Sequence, residues 1–277
     1  MKKIAAVTMV RDDDFFLKKW VEYYGKELGR DNLYILFDGE DQKVPDFCAD
    51  LHTYIHKRLN RDITVGERMR MDLLSDKAQD LFEKEGYEIV IGVDCDEFIV
   101  VDPLVCKGLA EFISDQEIDS TISPLGIDLG QHLEKESEID PGRKFLEQRS
   151  FGYLSSRYTK SSIISKPLRW DIGFYSVKGH NFHIVKDLYL LHFGCLDMKR
   201  MRERFMNPDR IGGTSTSHLN KRTKTISVVT NNEARDFDKA IATARKMQTW
   251  IRGSWNKPAM LGKIMVVEIP ERFRYIL

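Results

Sequence analysis

Three acids stand inside the most apolar stretch of the chain. Glu88-Ile89-Val90-Ile91-Gly92-Val93 runs into Asp94-Cys95-Asp96-Glu97, and Phe98-Ile99-Val100-Val101 resumes the apolar run at once. The first run is short, β-branched and without polar alternation, which predicts a buried parallel strand. Carboxylates inserted into such a stretch are costly unless cations or hydrogen-bond donors meet them. Where the backbone stays extended, residues two apart share a face, so Asp94 and Asp96 are expected to converge on one cation. A hard divalent ion such as Mg²⁺ or Mn²⁺ takes oxygen ligands and shares them with diphosphate oxygens.

The segments around this run alternate between strand and helix patterns. Ile4–Val10 reads as a buried first strand, and Phe15, Phe16, Trp20, Tyr23, Tyr24 and Leu28 recur at helical spacing before Gly29 closes the helix. Leu33–Phe37 is a second strand stopped by Asp38-Gly39, Leu51–His56 a weaker third, and Arg68–Lys84 a helix ending before Gly86. This alternation predicts an α/β fold with an open, mostly parallel Rossmann-like sheet that binds ligands at the strand C-termini. After Pro103 short strand-like runs (Ser120–Ser123, Ser162–Ser165, Phe174–Val177, Leu188–Phe193) alternate with polar loops, which predicts a mixed second half. Residues 197–208 and 233–252 read as helices, and Gly212–Ser217 between them as a loop. The expected organisation is a catalytic domain over 1–196 and a basic, largely helical C-terminal extension over 197–277.

Charge and cysteine usage narrow the function. The chain of 277 residues carries 43 basic and 43 acidic side chains, so it has no general attraction to nucleic acid. The 17 Lys/Arg against 8 Asp/Glu in 197–277 give that segment +9 and leave −9 for the rest. No apolar run approaches the roughly 20 residues that span a bilayer. Charges resume at Arg11 before a signal-peptide core has formed, which disfavours secretion. The four cysteines show no CxxC pair, so reduced thiols in a cytoplasmic protein are expected. Pattern removes other uses of the acidic motif. An EF-hand would need Gly at loop position six and Glu at twelve, where Ile99 and Val105 stand. No P-loop occurs, and Val7–Asp12 lacks the glycines with which a sugar-nucleotide pyrophosphorylase opens.

Several motifs together resemble the GT-A glycosyltransferases, in particular the bacterial family 2-like group related to family 92. They are Val7-Thr8-Met9-Val10-Arg11-Asp12, Trp20-Val21-Glu22-Tyr23-Tyr24 with Leu28-Gly29, Tyr34-Ile35-Leu36-Phe37-Asp38, and Val93-Asp94-Cys95-Asp96-Glu97-Phe98. Lys166-Pro167, Gly179-His180 and Leu191-His192-Phe193 follow in that group's order, so the likeness covers roughly residues 4–196. Asp12-Asp13 stands for the group's Asn-Glu, Tyr23-Tyr24 for its paired histidines, and Pro124–Asp128 lacks its aromatics. The resemblance implies the GT-A nucleotide-diphospho-sugar transferase fold and a Mn²⁺- or Mg²⁺-dependent hexosyltransferase. Such an enzyme moves sugar from a nucleotide-diphosphate donor to a hydroxyl on a glycan or lipid-linked acceptor, with inversion, in cell-surface polysaccharide or glycolipid synthesis.

The resemblance also implies roles. Asp94, Asp96 and His192 would hold the metal, Asp94 also meeting the donor, and Asp38 the nucleoside. Thr8 and Arg11 leave the first strand, where a nucleobase would lie. Arg70, and Arg68 beside it, would fork onto phosphate. His180 would face phosphate or acceptor. Asp128, read as a loop residue after Ile127, is the expected base on the acceptor hydroxyl, with Glu134, Glu136 and Asp171 as substitutes. The alternatives are a nucleotidyltransferase on a similar fold and a non-catalytic nucleotide-sugar-binding module. The basic residues Lys199, Arg200, Arg202, Arg204, Lys221, Arg222 and Lys224, with Met198, Met201, Phe205 and Met206 on one face, are expected either to dock on the body or to meet an anionic membrane surface through 197–224.

Overall fold

The N-terminal strands form one parallel ladder. In the computed structural model, which describes residues 1–180, 182–206, 216–250 and 264–277 but not the side chains of 204–206, 216–222 and 247–250, β1 (Ile4–Val10) lies between β2 (Leu33–Asp38) and β4 (Ile89–Gly92). β3 (His52–His56) extends the ladder beyond β2. The chain moves outward from β1 to β3 and then returns to the other side of β1 with β4. The loops leaving β1 and β4 therefore flank a crevice at the strand C-termini, and the acidic motif occupies the second of them.

Both faces of the ladder are covered. On one, α1 (Asp14–Leu28) buries Phe16, Leu17, Trp20, Val21, Tyr23 and Tyr24. On the other, α2 (Ile63–Glu83) buries Met71, Leu74, Ala78 and Leu81. α2 begins five residues before the sequence reading placed it. Asp62 caps it by accepting hydrogen bonds from Thr64 and Val65 N–H, while Ile63, Val65 and Met69 stay exposed, so its apolar period starts only later.

The second half is mixed, as expected, but its strands differ from the reading. β5 (Glu97–Val101) does not continue β4; it is a new strand, antiparallel to β9 (Ile184–Cys195). β6 (Thr121–Gly130) runs through Pro124 and Gly126, parallel to β9 and antiparallel to β7 (Phe151–Leu154) and β8 (Ile163–Ile164). Gly126 is required there, because a Cβ would sit 2.2 Å from the Tyr158 carbonyl carbon. β8 joins β4, so the two halves form one sheet. The Phe174–Val177 run is no strand; a single helical turn over Ile172–Phe174 contains Gly173 and Phe174 at φ of +62° and +59°. A short α3 (Leu109–Ser114) packs beside β5.

The C-terminal segment shares the core of the residues before it. It contributes α4 (Met198–Met206), α5 (Thr216–Asn231), α6 (Phe237–Trp250) and β10 (Val266–Glu268), the last antiparallel to β7. Phe237, Ile241, Val267, Phe273 and Leu277 belong to the same apolar cluster as α1. Arg272 ties the segment to the end of β5 through Asp102. Of the proposed apolar face on α4, Met201 is buried with Cys195 and Ile226, a docked position. Lys199 pairs with Glu138, and the Arg200 guanidinium lies 3.5 Å over the Phe15 ring. The side chains of Arg204, Phe205, Met206, Lys221 and Arg222 lie outside the described residues, as do residues 212–215 of the expected loop. Among the described residues no helix is long and apolar enough to cross a membrane.

Candidate active site

The two aspartates do not converge on one point. The chain turns between β4 and β5, where Glu97 N–H donates to the Asp94 carbonyl at 3.0 Å. The extended backbone on which the same-face expectation rested is absent, and the two side chains go to different partners. Asp94 lies 2.5 Å from Arg70 Nη1 and 3.1 Å from Lys160 Nζ. Arg70 also pairs with Glu67, and Lys160 lies 2.5 Å from Glu97. Burial works to raise the Asp94 pKa, but Arg70 and Lys160 outweigh it and hold the carboxyl well below the usual range. Burial pushes Glu97 up to about 7 against the opposing pull of Lys160. Lys160 is 1 % exposed and Glu97 wholly buried. Burial would lower the Lys160 pKa, yet the two carboxylates raise it above its ordinary value, so it stays charged.

Asp96 belongs to a second group, built by strand register. β9 runs between β5 and β6, and His192 on it is paired with Glu97 on one side and Asp128 on the other. Register partners share a face, so the row brings His192 to the turn that carries Asp96. Phe193 N–H donates to the Asp96 carbonyl at 2.9 Å and fixes that turn against β9. His192 Nε2 then lies 3.8 Å from Asp96 Oδ2, too far for a hydrogen bond. The gap is kept open by Gly194, where a Cβ would stand 2.6 Å from Nε2 and 3.1 Å from Asp96 Oδ2. On its other side His192 Nδ1 is 2.6 Å from Asp128 Oδ1. Burial lowers the imidazole pKa, but Asp128 and then Asp96 outweigh it and leave the pKa raised.

Among the described residues, a donor set of one carboxylate and one imidazole around a gap left by a glycine fits a divalent ion that takes further ligands. Asp94 does not fit that set, because two cations already occupy its oxygens. Among the described residues no three His, Cys, Asp or Glu side chains are grouped to hold a metal; Asp96 and His192 are a pair.

Asp128 is not in a loop. It stands in β6, 2 % exposed, with Oδ2 accepting from Thr225 Oγ1 at 2.6 Å. It is thus enclosed behind His192, with both oxygens engaged. The substitutes are engaged or exposed: Glu136 accepts from His132 and Ser150 N–H, Asp171 from Ile172 N–H, and Glu134 is exposed.

The remaining candidates divide. Thr8 does not leave β1; it is fully buried within it, and its hydroxyl has no hydrogen-bond partner among the described residues. Arg11 and Asp38 do meet, at the ends of β1 and β2. Arg11 binds the Asp38 carbonyl and the Asp41 carboxylate, while the Asp38 carboxylate accepts from Leu59 N–H at 2.6 Å. Arg70 reaches the motif, but through Asp94, and Arg68 is exposed. His180 sits in a turn closed by its N–H to Val177 O.

Sequence reasoning passed over residues 155–161. Tyr158 stacks on His192 with ring centroids 3.8 Å apart at 16°, and Lys160 compensates the acidic motif. The serines on either side of this stretch mark a loop, and lysine is rarely buried, so neither signal singled it out. A cleft of about 180 Å³ adjoins the Asp96–His192 pair through Gly194; Asp12, Asp13, Phe15, Asp197 and Arg200 also line it.

No family model matches this chain, and no curated protein matches it either. Among solved structures it is similar to a mannose-1-phosphate geranyltransferase from Thermus thermophilus, at 11 % identity over 96 % of this chain and 74 % of that one, with a TM-score of 0.32. It is also similar to a protein assigned as a glucose-1-phosphate thymidylyltransferase from Bacillus anthracis, at 11 % identity over 80 % of this chain and 83 % of that one, with a TM-score of 0.28.

Proposed function

We propose that this chain is a metal-dependent glycosyltransferase of the GT-A type, akin to the bacterial family 2-like group, that moves a sugar from a nucleotide-diphosphate donor to a hydroxyl acceptor. The observation that carries the reading is the Asp96–His192 pair, 3.8 Å apart across the space left by Gly194, at the C-terminal edge of the parallel strands. Asp96 and His192 would hold Mn²⁺ or Mg²⁺, and a divalent ion there supplies positive charge for a leaving diphosphate. Arg70 and Lys160 keep Asp94 and Glu97 compensated beside it, so the acidic motif does not repel an incoming diphosphate. Tyr158 covers one face of the His192 ring and excludes water from it. The acceptor is assigned to the cleft lined by Asp12, Asp13 and Phe15, which opens next to the pair.

The product distinguishes this reading from its rivals. Incubated with Mn²⁺ and a panel of nucleotide sugars, the protein is expected to release a nucleoside diphosphate, followed by phosphorus NMR. Pyrophosphate formed from a nucleoside triphosphate and a sugar phosphate would make it a nucleotidyltransferase instead. Tight donor binding without turnover on any acceptor tried would make it a binding module.

A further inference from the structure

The pair proposed to hold the metal is backed by a chain of hydrogen bonds that reaches into the C-terminal segment. Thr225 on α5 donates its hydroxyl to Asp128 Oδ2, and Asp128 Oδ1 meets His192 Nδ1, both at 2.6 Å. A carboxylate accepts and does not donate, so with Asp128 ionised the imidazole proton sits on Nδ1. That leaves a lone pair on Nε2, the nitrogen that faces Asp96. The ring cannot easily turn away from this arrangement. Tyr158 stacks on one face of it, and β-sheet register fixes its backbone between Glu97 and Asp128.

We infer that Asp128 is a positioning residue that selects the His192 tautomer with a free Nε2 and aims that nitrogen at Asp96, with Thr225 holding Asp128 in turn. The inference deepens the metal reading above and rests on it only for its consequence in metal affinity. Asp128 has no path to an acceptor hydroxyl, being enclosed with both oxygens engaged, so it does not act as the base. Carboxylates bonded to the far nitrogen of a metal-binding histidine commonly contribute about 10–100-fold in metal affinity. The chain also makes the C-terminal segment part of the site. α5, from the region the sequence assigns to an extension, supplies the hydroxyl that closes it.

The test has two independent arms. With ¹⁵N-labelled histidine at alkaline pH and no metal present, His192, assigned through His192→Gln, is expected to show the Nδ1–H tautomer. Asp128→Asn, whose amide can donate to Nδ1, is expected to admit the Nε2–H form. Mn²⁺ binding followed by electron paramagnetic resonance is expected to weaken about 10–100-fold in the same variant. Should Asp128→Asn not fold, Thr225→Val keeps the carboxylate, removes its second partner and is expected to shift both readouts the same way by less. A wild-type His192 already in the Nε2–H form, or a folded Asp128→Asn with unchanged tautomer and affinity, overturns the inference. Wild-type protein that binds no Mn²⁺ but shows the expected tautomers overturns the metal reading alone.

Discussion

Lys160→Met is expected to destabilise the protein by about 3–5 kcal/mol, the usual range when one partner of a buried ion pair is removed. For a chain of this size that lowers the melting temperature by roughly 10 °C. The cause is local. Glu97 is wholly buried and Lys160 is the cation at 2.5 Å, whereas Asp94 would keep Arg70. The loss has a pH signature. The folded-state pKa of Glu97 is already raised to about 7, above its unfolded value. Its contribution is therefore fully present below the unfolded pKa and lost as pH rises through the folded one. Without Lys160 the folded pKa rises further, so the deficit of the variant is nearly flat below about pH 6 and grows between about pH 7 and pH 9. Lys160→Met/Glu97→Gln, which removes the stranded charge, recovers part of it. Thermal denaturation across that range checks all three statements. A loss that stays below about 1 kcal/mol even at about pH 9, where Glu97 is ionised, would mean that the two groups are hydrated, not buried.

Gly194→Val separates the site from the fold. The added Cβ would meet Nε2 at 2.6 Å and Asp96 Oδ2 at 3.1 Å, in the space the pair leaves open. Overpacking of a buried position costs about 1–3 kcal/mol, so the protein should still fold. Its Mn²⁺ affinity is expected to fall on the order of 100-fold, at the upper end of what disturbed ligand orientation does. Melting temperature and Mn²⁺ titration on the same sample give the comparison. Wild-type affinity in a folded Gly194→Val would place any bound metal elsewhere.

The parts of this molecule legible in its sequence are those written in local pattern. β1, α1, β2 and β4 follow from uninterrupted apolar runs and helical spacing, and the parallel half follows from their alternation. What escaped is set by distant partners. Asp94 and Asp96 read as one face because two residues apart in a strand share a side; only the Glu97-to-Asp94 turn sends them apart, and nothing in four residues announces it. Asp128, after Ile127 in an otherwise uncharged stretch, reads as a loop acid, yet the strand continues through it and Gly126 serves the close crossing of Tyr158. His192, at the end of an apolar run, reads by pattern as a core histidine and is a candidate only through the family resemblance. Its partner Asp128 on β6 lies 64 residues away, and Thr225 on α5, which bonds that Asp128, lies 97 residues from it, outside any window of pattern. Lys160 was invisible for the opposite reason, since a lysine among serines reads as surface and becomes a buried counter-charge only once the acidic turn is folded beside it.

On the proposed function, one divalent ion held by Asp96 and His192 makes the protein bind a nucleoside diphosphate. Isothermal titration of nucleoside diphosphates tests it most directly, with Mn²⁺ or excess chelator, on wild type, Asp96→Ala and His192→Ala. Binding to wild type only with Mn²⁺, abolished in Asp96→Ala and weakened in His192→Ala, is the predicted result. Equal affinity in chelator, or an Asp96→Ala variant that binds like wild type, would contradict it.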